Sequence, residues 1–284
     1  MPATAEQLGE IVAAMSRQDL EAEIAAPSRL LLNREMIRGK TLETAWAPFD
    51  HINHKAAVAI VGITPGRQQM GNALRSYRAA RAGGHTHLAS LEIAKVHASF
   101  SGPLRDYLVR MLDHIGLNAW LGLASSAALW DTRPDLAHFT SALRHPVFVE
   151  KRVSKAGTSR RAMVNYGGDA PQILKAPGLR ATVETLLAAE LAALPAHCII
   201  VPLGSKVGDA LLHAADVLPA FDRRRILAGL PHPSGQNLGE IYPFLELPGS
   251  ASRVRPVPAS IAERRNALRE QLAQLPARPR PAPA

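Results

Sequence analysis

Two rhythms of apolar residues alternate along the chain, one helical and one unbroken. Leu8, Ile11 and Met15 recur at helical spacing behind a Thr4/Gln7 capping box, which predicts a helix over residues 4–15. Ala56-Ala57-Val58-Ala59-Ile60-Val61 is apolar at every position and stops at Gly62, as a strand does when a parallel sheet buries both its faces. Leu104, Leu108, Met111, Leu112 and Ile115 mark one side of a helix over residues 102–115 with Gly116 as its stop, and a strand is expected at about 119–124. A Leu- and Ala-rich helix from Gly178 to Leu194 leads into the apolar strand 198–203, closed by Gly204, and Ser205 caps a short helix through Leu212. Ile226-Leu227-Ala228-Gly229-Leu230 reads as a last buried strand.

Strands separated by helices predict an α/β fold, a three-layer αβα sandwich around a central, mainly parallel four-stranded sheet with added N- and C-terminal helices. Residues 1–50 are expected to form a helical extension and residues 51–250 the main domain. Between about 140 and 170 the chain is irregular and basic, and it reads as an insertion or long loop. That segment is either a solvated excursion or a clamp on a polyanion. In residues 251–284, Ser260 and Glu263 stand as a second capping-box pair before Leu268, Leu272 and Leu275. The Pro/Ala/Arg-rich tail from Pro276 to Ala284 is expected to be disordered.

Composition narrows the classes of function. The 33 Lys and Arg residues outnumber 24 Asp and Glu, and the net charge of +9 suits a polyanionic partner through counterion release. Hydrophobic residues make up 47% of the chain, yet no apolar stretch approaches the roughly 20 residues of a membrane helix. Glu6 and Glu10 near the N-terminus do not fit a secretory signal, so a cytoplasmic protein without a membrane partner is expected. A single cysteine, Cys198, excludes an internal disulfide and a four-cysteine zinc or iron–sulfur site. His85 and His87 lie in a Gly-rich loop without a carboxylate pattern beside them, and no metal or other cofactor is expected.

Ligands of open α/β sheets collect beyond the carboxyl ends of the strands, and two loops occupy such positions. Gly62-Ile63-Thr64-Pro65-Gly66 with Met70 resembles the first motif of the uracil-DNA glycosylase superfamily, in its Gly-x-Asn-Pro-Gly form. Pro231-His232-Pro233-Ser234-Gly235-Gln236-Asn237 resembles the second motif, His-Pro-Ser followed by Asn, and Phe100-Ser101-Gly102-Pro103 resembles the Phe-x-Gly segment between them. Each alone is an ordinary turn. Together they occur in family order across roughly residues 56–245.

The resemblance implies roles for particular residues. Phe100 matches the aromatic that stacks on a flipped base, although a core aromatic at a helix entrance would look the same. His232 matches the histidine that donates a hydrogen bond to the departing base, where a placed donor acts on charge developed in the transition state. Gly62, Ile63 and Met70 fall beside the base; Pro65, Gly66 and Arg67 fall at the DNA. Ser234, Gly235, Gln236 and Asn237 match the loop that probes the minor groove, or they merely close a turn. Lys151, Arg152, Lys155, Arg160 and Arg161 of the basic segment are the candidate backbone contacts.

Two departures redirect the substrate reading. Thr64 stands where one branch has a water-positioning Asn, and Ile63 where others have an acid; a threonine at best orients a water. Asp106 and Asp131 are the nearest acids, and their spacing nominates neither as a base. Ser126, in Ser125-Ser126-Ala127-Ala128, stands where the family's base-reading amide follows the second strand; it leaves a roomier pocket, or simply a close helix–strand contact. The implied activity is a monofunctional DNA glycosylase acting as a monomer on a damaged or modified pyrimidine, with a modified cytosine of phage DNA as one candidate. The alternatives are a conventional uracil-DNA repair glycosylase and a catalytically weak DNA-binding relative. An enzyme of RNA or free nucleosides has less to recommend it, because a helix-wedging loop is wasted on a mononucleotide.

Overall fold

The computed structural model describes residues 3–155, 158–218, 221–248 and 259–276, and the tail expected to be disordered lies outside them from residue 277 on. The chain opens with α1 (Ala5–Ala14) and α2 (Arg17–Ala25), followed by the hairpin β1 (Leu31–Ile37) and β2 (Lys40–Ala45). Then come β3 (Val58–Gly62), α3 (Arg67–Ala82), α4 (His87–Ala98), α5 (Pro103–His114), α6 (Leu117–Leu121) and β4 (Ala137–Ser141). A second hairpin, β5 (Val147–Lys155) and β6 (Thr158–Asn165), precedes α7 (Pro177–Thr182), a π-helical turn (Val183–Leu187) and α8 (Ala188–Ala193). β7 (Ile199–Pro202), α9 (Ser205–Asp216), α10 (Leu238–Phe244) and α11 (Ala259–Gln274) complete the order.

Where local chemistry is strong, the elements follow it. Thr4 caps α1, its hydroxyl accepting the Gln7 N–H while the Gln7 side chain accepts the Thr4 N–H. Gly116 ends α5 in the left-handed conformation. β3 is buried at all five positions. Its Val58 and Ile60 enter one core with Leu108 and Met111 of α5, Leu117 of α6 and Leu268 of α11, while Ala59 and Val61 enter another with Leu179, Leu191 and Leu211. Both faces of the parallel sheet are therefore covered, which is why its central strand carries no polar residue.

The fold is α/β, but the single four-stranded sheet is corrected to two sheets. Three parallel strands lie in the order β4-β3-β7, and four antiparallel strands in the order β1-β2-β5-β6. The expected last strand forms one parallel bridge, Ile226 to Ile200, beside β7. Leu227 donates to the Ile200 carbonyl, and then Gly229, at φ 137°, turns the chain out of register. The strand expected at about 119–124 is α6 and a 3-10 turn, because Leu117 and Leu121 are one helical turn apart and Gly122 is left-handed. The basic segment is no irregular loop: it is the β5–β6 hairpin. The first fifty residues are not only helical either, since β1 and β2 join through Arg38 and Gly39, both at positive φ, and β2 pairs with β5. α11 starts at Ala259, which places Ser260 inside the helix rather than at its cap.

One buried ionic cluster ties these layers together. Glu190 of α8 is fully buried; its Oε1 accepts from Lys95 Nζ of α4 at 3.0 Å and from His138 Nε2 of β4 at 2.7 Å. Its Oε2 accepts from Arg144 Nε and Nη2 at 3.1 and 3.0 Å. Lys95, only 2% exposed, also donates to the His51 carbonyl. The cations hold the Glu190 carboxyl well below the usual carboxylate range against the opposing effect of burial. Replacing Glu190 with Leu strands two cations in the interior, and urea denaturation should show a loss of about 3–5 kcal/mol.

Candidate functional site

The chain passes from β3 to β4 on one side and then to β7 on the other, so the carboxyl edge of the parallel sheet is a topological switch point. Four segments meet along it. Ala142 N–H donates to the Gly62 carbonyl and Leu143 N–H to Ile63; Leu203 N–H donates to Val61 and Gly204 N–H to Leu230. The loops after β3, β4, β7 and the 226–230 segment are thereby stitched side by side.

Phe100 lies at this edge. A Cβ on Gly62 would come within 3.0 Å of its ring, so glycine at the end of β3 is what admits the phenyl group. The ring is buried and sits edge-on to Phe139 at 6.1 Å, with Trp130 stacked on Phe139 at 4.6 Å. Phe100 holds φ 53°, a conformation disfavoured for an aromatic residue and of the kind retained at binding sites. Pro65, Gln69, Phe100, Phe139, Thr140 and Arg144 are among the residues that surround a cavity of about 10 Å³ here. It has room for one water.

His232 stands at the other end of the same edge, about two strand spacings, or roughly 10 Å, from β3. Gly204, at φ 91°, lets β7 turn beneath it, since an added Cβ would meet the His232 Cβ at 3.4 Å. The Ser234 N–H donates to His232 Nδ1 at 3.3 Å, which places the imidazole hydrogen on Nε2. Burial and then the nearby Lys206 ammonium lower its pKa, so the ring is a neutral donor at neutral pH. Asn237 donates to the His232 carbonyl and Ser234 accepts from Gln236 N–H, which shapes the loop and leaves Gly235 and Gln236 exposed at its tip.

Other residues nominated from the sequence are placed differently. The Thr64 hydroxyl donates to the His145 carbonyl and accepts from Val147 N–H, both at 3.0 Å, leaving one lone pair for a water. Met70 is fully buried in the core beneath α3, away from any base. Ile63 packs toward Gly168 and the core on the other face. Arg67 is a structural tie: its guanidinium donates to the Ile24, Ala25 and Met163 carbonyls and lies 4.1 Å over the Phe148 ring. Gly66 caps α3 where a Cβ would meet Asn165 at 3.0 Å. Ser126 follows α6 instead of a strand, and its N–H binds the Asp113 carboxylate. The position at the end of the second parallel strand belongs to Thr140 and Ser141.

Sequence reading therefore missed Thr140, Ser141 and Arg144. The strand that carries Thr140 and Ser141, Ala137-His138-Phe139-Thr140-Ser141, puts Ala137, Phe139 and Ser141 on one face and His138 and Thr140 on the other, a weak alternation. On the hairpin, Arg152 faces Arg161 directly across the strands and Arg160 faces Val153. Arg161 pairs with Glu150 at 3.2 Å, while Lys151, Arg152 and Arg160 are exposed without an ion-pair partner among the described residues. Lys155 closes β5.

Comparison with curated proteins finds similarity to the uncharacterized protein YoxB of Bacillus subtilis (strain 168), 31% identical over 188 residues that make up 66% of this chain and 68% of YoxB. No protein-family model matches the chain, and no solved structure matches it.

The buried histidine behind the site carries a pH signature. Burial, then Lys95, lower His138 from 6.5 to about 4, and its Nδ1 accepts the Asn53 N–H. As pH falls the unfolded chain takes up this proton first, so the stabilisation is complete above about pH 6.5 and is lost toward pH 4. Urea midpoints measured from pH 7 to 4.5 should fall, on the order of 3 kcal/mol in all for this group, and His138→Gln should flatten the slope by close to one proton.

Proposed function

The chain belongs to the same family as YoxB, and we propose that it is a monofunctional DNA glycosylase that hydrolyses the N-glycosidic bond of a flipped, modified pyrimidine. The observation that carries this reading is the gathering of Gly62–Gly66, Phe100 and His232, remote in sequence, along one sheet edge, with His232 held neutral and its Nε2–H free to donate. The three segments that resemble uracil-DNA glycosylase motifs all reach this edge, beside the loops after β4 and β7, which supports the reading.

In this reading the base stacks on Phe100 once the small cavity opens. The C1′–N bond breaks with its electron pair leaving on the base, and His232 Nε2–H donates to a base carbonyl oxygen as that charge develops. Water adds to C1′ and its proton is released to solvent, leaving an abasic site. Thr64 contributes at most one lone pair to hold that water, so slow chemistry accompanies this site. Gln236, at the exposed loop tip, takes the space of the flipped nucleotide.

The β5–β6 hairpin supplies the hold on the DNA backbone. Like charges directly opposed on neighbouring strands destabilise a hairpin, and the Arg152–Arg161 pair is relieved by a phosphate lying between them. In this reading Arg152→Ala and Arg160→Ala each weaken binding to any duplex sequence. Each should also reduce the slope of log affinity against log salt by about 0.9, read by fluorescence anisotropy across a salt series.

Single-turnover incubation with duplexes bearing uracil or a bulky modified cytosine, followed by alkali, tests the activity itself. Abasic product from the modified duplex is expected, with His232→Ala slowing it by about 100-fold or more. Uracil release instead would make the protein a conventional repair glycosylase. Binding without product, unaffected by His232→Ala, would mark a recognition protein.

A further inference from the structure

Arg144 enters the cavity beside Phe100 with part of its hydrogen-bonding capacity unspent. Of its five N–H donors, Nε serves Glu190 and Nη2 serves Glu190 and the Leu186 carbonyl. Among the described residues Nη1 makes no hydrogen bond; it lies 3.7 Å from Asp50, an ion pair beyond bonding distance. Next to it the Thr140 hydroxyl, on a residue only 6% exposed, has no partner and lines the same cavity. An unsatisfied hydroxyl at the depth of Thr140 is costly unless something else completes it.

The charges behind the cavity decide what that something is. Lys95 and Arg144 balance Glu190 and Asp50, and burial keeps His138 and His145 neutral. The floor is electroneutral but donor-rich, so it suits an uncharged edge bearing acceptors. A cytosine-type ring presents adjacent acceptors at O2 and N3; a uracil-type ring carries an N3–H donor between its carbonyls. Facing guanidinium hydrogens, that N3–H would be buried without a partner.

We propose that Arg144 is the specificity-determining element of this pocket and selects a cytosine-type base over a uracil-type base. The inference rests on the glycosylase reading for the pose of the base, and it names a residue and a ring edge that reading leaves open. The guanidinium is fixed by fully buried Glu190, so it cannot swing aside to accommodate a donor. The 5-substituent lies on the opposite side of the ring from this edge and is selected elsewhere.

The test uses the full chain and two duplexes that differ only at the ring edge, one carrying 5-hydroxymethylcytosine and the other 5-hydroxymethyluracil. Competition binding gives the preference, and alkali cleavage of the same samples reports abasic sites. The wild-type protein should favour the cytosine-type duplex by about tenfold or more, the effect of one unpaired buried donor. Arg144→Gln, whose amide offers both donor and acceptor, should bring the ratio near one. Thr140→Val is close to isosteric and leaves the Glu190 cluster untouched; the Thr140 hydroxyl accepts as well as donates and so favours neither ring, and the preference should persist in this variant even if Arg144→Gln folds poorly. A wild-type ratio near one, a preference unchanged in folded Arg144→Gln, or its loss in Thr140→Val overturns the proposal. Preference without abasic product would sink the glycosylase reading and leave this inference standing; abasic product without an Arg144-dependent preference would do the reverse.

Discussion

The Glu190 carboxylate is the point on which the rest of the structure turns. It is fully buried and meets a cation or a neutral donor from each of three directions, α4, β4 and the loop after β4. A buried ion of this kind is poor at adding stability, because hydrophobic residues of the same volume serve as well or better. What it does well is fix geometry. Each partner has one place in which its charge is neutralised, so the end of β4, Arg144 and the helix bearing Lys95 are held in one arrangement. Loop residues that would otherwise sample many rotamers then face the cavity in a single one.

That constraint accounts for a division of labour along the sheet edge. Glycines at the ends of β3 and β7 bring backbone against Phe100 and against His232, where any side chain would collide or need a left-handed backbone. The polar clamp on Glu190 positions Arg144, and the Thr64 hydroxyl staples the neighbouring loop through His145 and Val147. Thr64 is in this light a structural substitution. Its spacing matches a catalytic position, while its hydrogen bonds belong to the loop that carries Arg144.

How far the sequence was legible depended on whether burial and polarity agreed. β3, α1 and α5 were readable because their buried faces are apolar and their ends carry caps or glycine stops. β4 was not, because it buries His138 and Thr140, residues that read as surface in a linear pattern. Missing it shifted the second strand by some eighteen positions, from about 119–124 to Ala137–Ser141, and carried the base-reading assignment to Ser126. The antiparallel sheet was hidden for a related reason: β1 and the outer half of β5 and β6 are largely exposed and charged, so period-two alternation fades where neither face is covered. Sequence alone could not show which hydroxyls and guanidinium hydrogens were already taken.

Hydrogen-bond accounting, more than motif identity, distinguishes Arg67 from Arg144. Arg67 follows a sequence that resembles a glycosylase motif and Arg144 does not, and both are partly withdrawn from solvent. Arg67 spends its Nη1 on two carbonyls and Nη2 on a third, and lays its plane on Phe148, so backbone and ring hold it as a tie between segments. Arg144, which lines the cavity, is hydrogen-bonded through Nε and Nη2, while Nη1 has only the longer ion pair to Asp50, so its position is set by a charge that cannot move. In the proposed role, a side chain so held would discriminate by what it cannot adapt to, and a buried donor opposite a donor is the mismatch that such a site rejects most strongly.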